Sequence, residues 1–338
     1  MWLIIGDTHF TDNARDSHRF GIFNWIKKRQ AKTNPAATFL AGDLTDNKDR
    51  HSATLVNKIV DGLTSLKPPV YILRGNHDYS RDQENPFFKF LSHIDGIHFI
   101  TKPTVIKAGK RMALIPHYRT QDEFTAGVEL CCADRPDSFL CHQTFDGAIA
   151  ESGVRLTGLS ASPIESFGPP LGVYAGDVHR PQTQGLVTYI GCPYQVRFGD
   201  DFEPRCIEVS PDGTEAYPWF GAPRKWSLAV RDAANILNNK DLYEGDQVKL
   251  TISVAREEAI EWQKIRAGCL AACKERGLEV HGVKLEINTV KRRERAKLDD
   301  SNGSGAAGTF DQFCKSENVA SGIKKIGKEI LDGNENVL

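Results

Sequence analysis

The sequence predicts an α/β fold built on parallel strands, and two observations carry that prediction. Short apolar, β-branched runs at residues 3–7, 38–41 and 70–73 alternate with helix-patterned segments, and the order strand, helix, strand, helix, strand builds parallel crossover units. Each run then ends in a polar group able to bind metal or move protons: Asp7-Thr8-His9, Gly42-Asp43, and Gly75-Asn76-His77-Asp78. Ligands of an open α/β sheet collect just outside the carboxyl ends of its strands, so three such ends on one edge mark a site.

The elements follow in order. Phe20, Phe23, Trp25 and Ile26 predict a helix between the first two strands. Residues 52–66 predict a second, with Leu55, Val56, Ile59, Val60 and Leu63 at three- and four-residue spacing as core contacts. Residues 86–91 read as a short buried helix, and 97–101, 104–107 and 111–116 as strands leading to His117 beside the site. His51, His93 and His98 lack a metal-capable neighbour at useful spacing and are read as structural or surface groups. An apolar strand beginning at Ser138 ends in His142. Residues 150–170, rich in Gly, Ser and Pro, read as a surface excursion near substrate. Residues 171–175 lead into Gly176-Asp177-Val178-His179, and the strand at 187–190 breaks at Gly191-Cys192-Pro193-Tyr194, with Arg180, Arg197 and Gly199 nearby.

A Pro-, Gly- and aromatic-rich boundary at 210–226 contains the hairpin signal Pro211-Asp212-Gly213. Beyond it, residues 247–254 and 278–287 read as strands flanking a helix at 257–276 with Ile260, Ile265 and Leu270 inward. The expected organisation is a catalytic domain at 1–215, a small α/β domain at 220–298, and a linker and helical tail at 299–338. The basic run containing Lys291, Arg292 and Arg293 suits salt-sensitive phosphate contacts as well as it suits a solvated charged segment. Residues 301–308 are a flexible linker by composition, and 323–331 are amphipathic.

Composition excludes more than it assigns. Lys plus Arg (43) nearly cancels Asp plus Glu (44), so any polyanion surface must be local. The opening residues lack the basic flank of a signal peptide and no apolar run spans a membrane, which predicts a cytosolic protein without membrane association. Eight Cys without a Cys-x-x-Cys pair predict reduced thiols filling the core, the Cys131-Cys132 and Cys269/Cys273 pairs included.

The collected strand ends offer Asp7, His9, Asp43, Asn76, His77, His142, Asp177 and His179, nitrogen and oxygen donors without a thiolate. That chemistry favours a borderline-to-hard divalent ion over a closed structural zinc. One ion cannot use them all. Two ions about 4 Å apart, sharing Asp43, can, and such a pair suits in-line displacement at a phosphoester.

This series of motifs resembles the calcineurin-like metallophosphoesterase superfamily over about residues 1 to 200, and within it the nuclease subunit of the SbcCD type and its bacteriophage recombination counterparts. The narrower likeness rests on motif order, on Tyr189-Ile190-Gly191-Cys192-Pro193-Tyr194 followed by Arg197-Phe198-Gly199-Asp200, and on a second domain after about residue 220. The resemblance implies a β-sandwich flanked by helices with a smaller α/β capping domain that contacts DNA. It implies two divalent ions, manganese or magnesium, one held by Asp7, His9, Asp43 and His179, the other by Asp43, Asn76, His142 and Asp177. His77 would stay off the metals and assist the leaving oxygen, oriented by Asp78, while a metal-activated water attacks. Arg180, Arg197, Lys291, Arg292 and Arg293 are the expected DNA contacts. The implied activity is exonuclease on duplex DNA and endonuclease on single strands, in recombination, repair and replication, as a homodimer with an SbcC-like ATPase on which the tail docks.

Two residues depart from the family pattern. Asp177 stands where most relatives have His, making the second site harder and more anionic. Asp46 stands where nuclease relatives often carry a substrate-touching His. The alternative within the superfamily is a phosphatase or cyclic-nucleotide phosphodiesterase, but Gly42-Asp43-Leu44-Thr45-Asp46-Asn47-Lys48 lacks the Arg-Gly that marks protein phosphatases. A non-enzymatic scaffold is disfavoured because every site position keeps a ligand-capable side chain.

Overall fold

The computed structural model describes residues 1–255 and 257–288, together with Phe310, Cys314, Lys315, Val319 and Lys324. Lys291, Arg292 and Arg293, the linker at 301–308 and all of the amphipathic piece at 323–331 except Lys324 lie outside the described residues. Strands β1 (Trp2–Ile5), β2 (Ala37–Leu40), β3 (Val70–Leu73) and β4 (Ile97–Ile100) pair in parallel, with helices α1 (Gly21–Thr33) and α2 (Ala53–Thr64) in the crossovers. β5 (Thr104–Ala108) folds antiparallel onto β6 (Lys110–Ile115), which runs parallel to β7 (Ser138–His142), itself parallel to β8 (Gly172–Gly176). The helices α3 (Gln121–Cys132) and α4 (Ser162–Phe167) make those connections. β9 (Gln182–Gln184) pairs antiparallel with β10 (Val187–Tyr189), which lies parallel to β8. The hairpin of β11 (Cys206–Ser210) and β12 (Gly213–Tyr217) then returns to the other edge of β1. Two six-stranded sheets result, ordered β12-β11-β1-β2-β3-β4 and β5-β6-β7-β8-β10-β9.

Alternation along the strands explains why the sheets stack. Successive side chains point to opposite faces, so Leu3 and Ile5 meet Ile22, Phe23 and Ile26 of α1 together with Leu55 and Ile59 of α2, while Trp2 and Ile4 face the second sheet through Met112, Leu114 and Leu140. The second sheet repeats the device, with Phe139 and Cys141 covered by Phe124 and Val128 of α3 and Ile164 of α4. Strands buried on both faces read as continuous apolar runs, which is how they stand in the sequence. The layering is helix, sheet, sheet, helix, the mixed α/β sandwich expected. It brings the carboxyl ends of β1, β2 and β3 to the carboxyl ends of β7 and β8.

The remaining strands, β13 (Lys225–Val230), β14 (Gln247–Ala255) and β15 (Glu279–Asn288), form a three-stranded sheet in that order, with β13 and β14 parallel. Helices α5 (Ala233–Leu237) and α6 (Trp262–Glu275) lie between them in the chain. The chain divides into two compact units, Met1–Ile252 with Gln263–Leu285, and Ser253–Trp262 with Glu286–Leu338. In the first, Lys225 Nζ reaches Asp16 Oδ1 at 2.7 Å and Gln247 Nε2 donates to the Arg15 carbonyl at 3.1 Å, joining the third sheet to the segment that follows β1. In the second, the Glu258 carboxylate caps the Ala255 amide at 2.9 Å.

Three expectations change. The helix expected over 257–276 is a 3-10 turn at Glu257–Glu261 followed by α6, and Ile260 is 93% exposed rather than inward. The buried stripe of α6 is Cys269, Ala272 and Cys273, small enough for close packing. The surface excursion at 150–170 contains α4, anchored by Ile164. Helix α3, absent from the expected elements, has a Thr120–Glu123 capping box but a thin apolar stripe of Phe124, Val128 and Cys131. All eight Cys are free, and all but Cys132 are buried.

Candidate metal centre

The strand ends place each donor by backbone geometry that ordinary residues avoid. His9, Asp43 and Asp177 take positive φ values of 41°, 47° and 80°, a region costly for residues with a Cβ and concentrated at functional sites. Gly42 precedes Asp43 at φ 119°, and a Cβ there would lie 2.1 Å from His142 Nδ1. A Cβ on Gly75 would lie 2.2 Å from Asp43 Oδ1. These glycines let the end of β2 approach His142 and the end of β3 approach Asp43.

The result is a buried cluster. Asp7, His9 and His179 bring one ligand atom each to within 4.8 Å of one another, and so do Asp43, His142 and Asp177. Asp43 connects the groups, with Oδ2 3.7 Å from His9 Nε2 and Oδ1 3.4 Å from His142 Nε2. Nε2 of His9 and of His179 face each other at 3.0 Å. The His142 Nδ1 proton is donated to the Ala41 carbonyl at 2.7 Å, which turns Nε2 toward Asp43 and Asp177. Thr144 Oγ1 donates to Asp177 Oδ2 at 2.6 Å, and the Asp177 amide donates to Asp7 Oδ2 at 3.0 Å.

Two tests show that these residues fit divalent cations. Asp7 Oδ1, Asn76 Oδ1 and His142 Nε2 are buried without a hydrogen-bond partner, a state that costs on the order of 1–3 kcal/mol per group unless a ligand takes it up. The electrostatics agree. Burial pushes Asp7 well above the carboxylate range, with Asp43 and Asp177 adding to it. Burial also works to raise Asp43, but His142, His9 and His77 outweigh it and hold the group low. Burial works to lower His142, yet Asp43, Asp7 and Asp177 drive it well up. Burial holds His9 well below the ordinary imidazole range. Carboxylates crowded in a dry pocket with one imidazole taking the proton is the balance that a bound cation relieves.

His77 and Asp78 correct the reading of their turn. Asp78 does not orient the His77 ring. Its carboxylate accepts the amides of Asp43 and Leu44 at 3.0 Å each and that of Gly75 at 2.6 Å, tying the end of β3 to the end of β2. Burial, then Asp43, raises it to about 6 against those amides. The His77 ring is oriented by the Asp46 carbonyl, which accepts from Nδ1 at 2.6 Å, while the His77 amide donates to Asp43 Oδ1 at 2.7 Å. His77 also forms a third ligand-capable group with His9 and Asp46. His117 stays behind the site, with Nδ1 2.9 Å from the Tyr79 hydroxyl and its ring 6.1 Å from that of His142.

Arg180 follows His179 directly and is half-buried, and Arg197 is exposed. Several supporting residues carried no motif. Arg19, buried on the 3-10 turn Ala14–Phe20, donates to the His9 carbonyl and to that of Val196, and Tyr194 donates to the Thr8 carbonyl. Glu151 Oε1 lies 3.3 Å from His179 Nδ1. The one legible signal was Tyr194, within the segment that follows β10.

Residues 2–149 match the sequence model of the calcineurin-like phosphoesterase family. No curated protein matches the chain significantly. The matched span contains Asp7, His9, Asp43, Asn76, His77 and His142, and the fold brings Asp177 and His179 to them from beyond it. The chain therefore carries a metallophosphoesterase domain with a site able to hold two metal ions, the equipment of a metal-dependent phosphoester hydrolase. No helix among the described residues is long and apolar enough to cross a membrane.

Proposed function

We propose that the chain is a metal-dependent DNA nuclease, the nuclease subunit of an SbcCD-type complex in recombination, repair and replication. The observation that carries the reading is Asp43, whose two oxygens face His9 on one side and His142 on the other, with a ligand-capable group around each. Asp7, His9, Asp43 and His179 hold one ion and Asp43, Asn76, His142 and Asp177 the other, manganese in preference to magnesium. When bound, such a pair activates water and neutralises charge on the phosphoryl oxygens. The chain's own residues do the rest. His77, whose Nδ1–H is held by the Asp46 carbonyl, would as an imidazolium present Nε2–H as the proton donor for the leaving 3′ oxygen and regain the proton from solvent. Asp78 holds the loop that aims Asp43.

DNA is favoured over a small ester by Arg180 and Arg197 near His179, by the lack of Arg-Gly after Gly42-Asp43, and by the α/β segment built on β13, β14 and β15. Lys291, Arg292 and Arg293 add phosphate contacts in the same reading. Exposed Phe87 and Phe90 support a homodimer, and the C-terminal segment docks on an SbcC-like ATPase.

The test combines purified protein and manganese with linear duplex DNA, circular single strands and a chromogenic phosphodiester, with chelator controls. Metal-dependent release of nucleotides from DNA is expected. Turnover of the small ester alone assigns the chain to the phosphatase or cyclic-nucleotide phosphodiesterase branch instead.

A further inference from the structure

All four imidazoles at the centre turn Nδ1 outward to an oxygen. His142 meets the Ala41 carbonyl at 2.7 Å, His77 the Asp46 carbonyl at 2.6 Å, His9 the Asp46 carboxylate at 3.6 Å, and His179 the Glu151 carboxylate at 3.3 Å. Three of these oxygen atoms belong to the strand ends that already form the site. Glu151 alone arrives from a separate loop, beyond the span that matches the phosphoesterase family.

That loop is built to deliver it. Ile149 and Arg155 pair as an antiparallel bridge, the Ala150 amide donates to the Val154 carbonyl at 2.8 Å, and Gly153 closes the turn at φ 81°. The Gln182 side chain grips both backbone groups of Ile149, at 2.8 and 2.7 Å, and so fastens the loop to β9. Glu151 Oε1 then accepts the His179 amide at 3.2 Å while facing the same residue's Nδ1. The amide bond anchors the carboxylate, and the 3.3 Å ring contact is electrostatic and not a hydrogen bond.

We propose that Glu151 is the positioning residue of His179: it keeps the proton on Nδ1, leaves the Nε2 lone pair facing His9, and so sets the affinity of the ion site formed by Asp7, His9 and His179. A carboxylate behind a ligating imidazole fixes the tautomer and ring orientation and raises ligand basicity. The inference rests on the two-ion reading of the centre and is independent of the substrate being DNA.

Calorimetric titration of the full chain with Mn2+ tests it, comparing the native protein with Glu151→Gln and Glu151→Ala. Glu151→Ala is expected to weaken one of two binding events by roughly 10- to 100-fold and leave the other in place. Glu151→Gln keeps an acceptor oxygen for the His179 amide and is expected to fall between the two in affinity while melting like the native protein in chelator. Native affinity for both ions in Glu151→Ala overturns the proposal. So does equal weakening of both events together with a lower melting temperature in chelator, since that marks a general structural role. A native chain that binds two ions but leaves DNA intact sinks the nuclease reading and leaves this one standing.

Discussion

His77 and Asp78 stand side by side in one turn, and their chemistry separates by where each carboxylate or ring finds partners. His77 meets the Asp46 carbonyl and has its ring 5.0 Å from that of His9, edge to face. Acting as a proton donor off the metals, His77→Gln is expected to lower kcat by about 10²- to 10⁴-fold while Mn2+ affinity stays native. A matching loss of Mn2+ affinity would instead count it among the ligands with His9 and Asp46. Asp78 is a brace. Asp78→Ala strips the acceptor from three buried amides, each loss costing about 1–3 kcal/mol, so urea unfolding without metal should show a loss of at least about 3 kcal/mol. A variant as stable as the native chain would refute the bracing role. The sequence announced both residues through Gly75-Asn76-His77-Asp78, but their division of labour depends on amides of Asp43 and Leu44 more than thirty positions away.

At the scale of elements, helix α2 was legible because its Leu55, Ile59 and Leu63 stripe and its Ser52 cap both lie within one short stretch. Ser52 Oγ accepts the Leu55 amide at 3.1 Å, so Ser52→Ala is expected to cost about 1 kcal/mol in urea unfolding and to leave Mn2+ binding unchanged. A cost in metal affinity would mean that α2 steers the strand ends directly. Helix α3 shows the opposite case. Its stripe is diluted by Gly127 and Thr125, and what makes it a helix is the second sheet, whose Phe139 and Cys141 require a cover. The loop carrying Glu151 announced itself through its Gly, Ser and Pro content only as a surface excursion near substrate, and the role of Glu151 has no local signature because it depends on reaching His179.

For the whole molecule, the joint between the third sheet and the segment after β1 titrates. His18 lies beside Asp16, Arg19 and Lys225, and burial, then Lys225, lowers it to about 4. An unfolded chain binds that proton near pH 6.5, so between about 6.5 and 4 the unfolded state holds more protons than the folded one. The stability is therefore complete above about pH 6.5 and falls as pH drops toward 4. Urea midpoints in chelator at pH 7 and pH 5 should differ less in His18→Gln than in the native chain, and an equal difference would remove His18 from the account. What the sequence by itself determined is the set of strand ends and their chemistry, since apolar β-branched runs stopping at Gly and metal-capable residues are local signals, each readable within ten residues. Only the tertiary structure decided which donors meet. Asp43 faces both His9 and His142, Glu151 stands behind His179, and Asp78 braces a neighbouring strand, because two stacked sheets bring carboxyl ends from distant parts of the chain to one edge, and no local pattern encodes that distance.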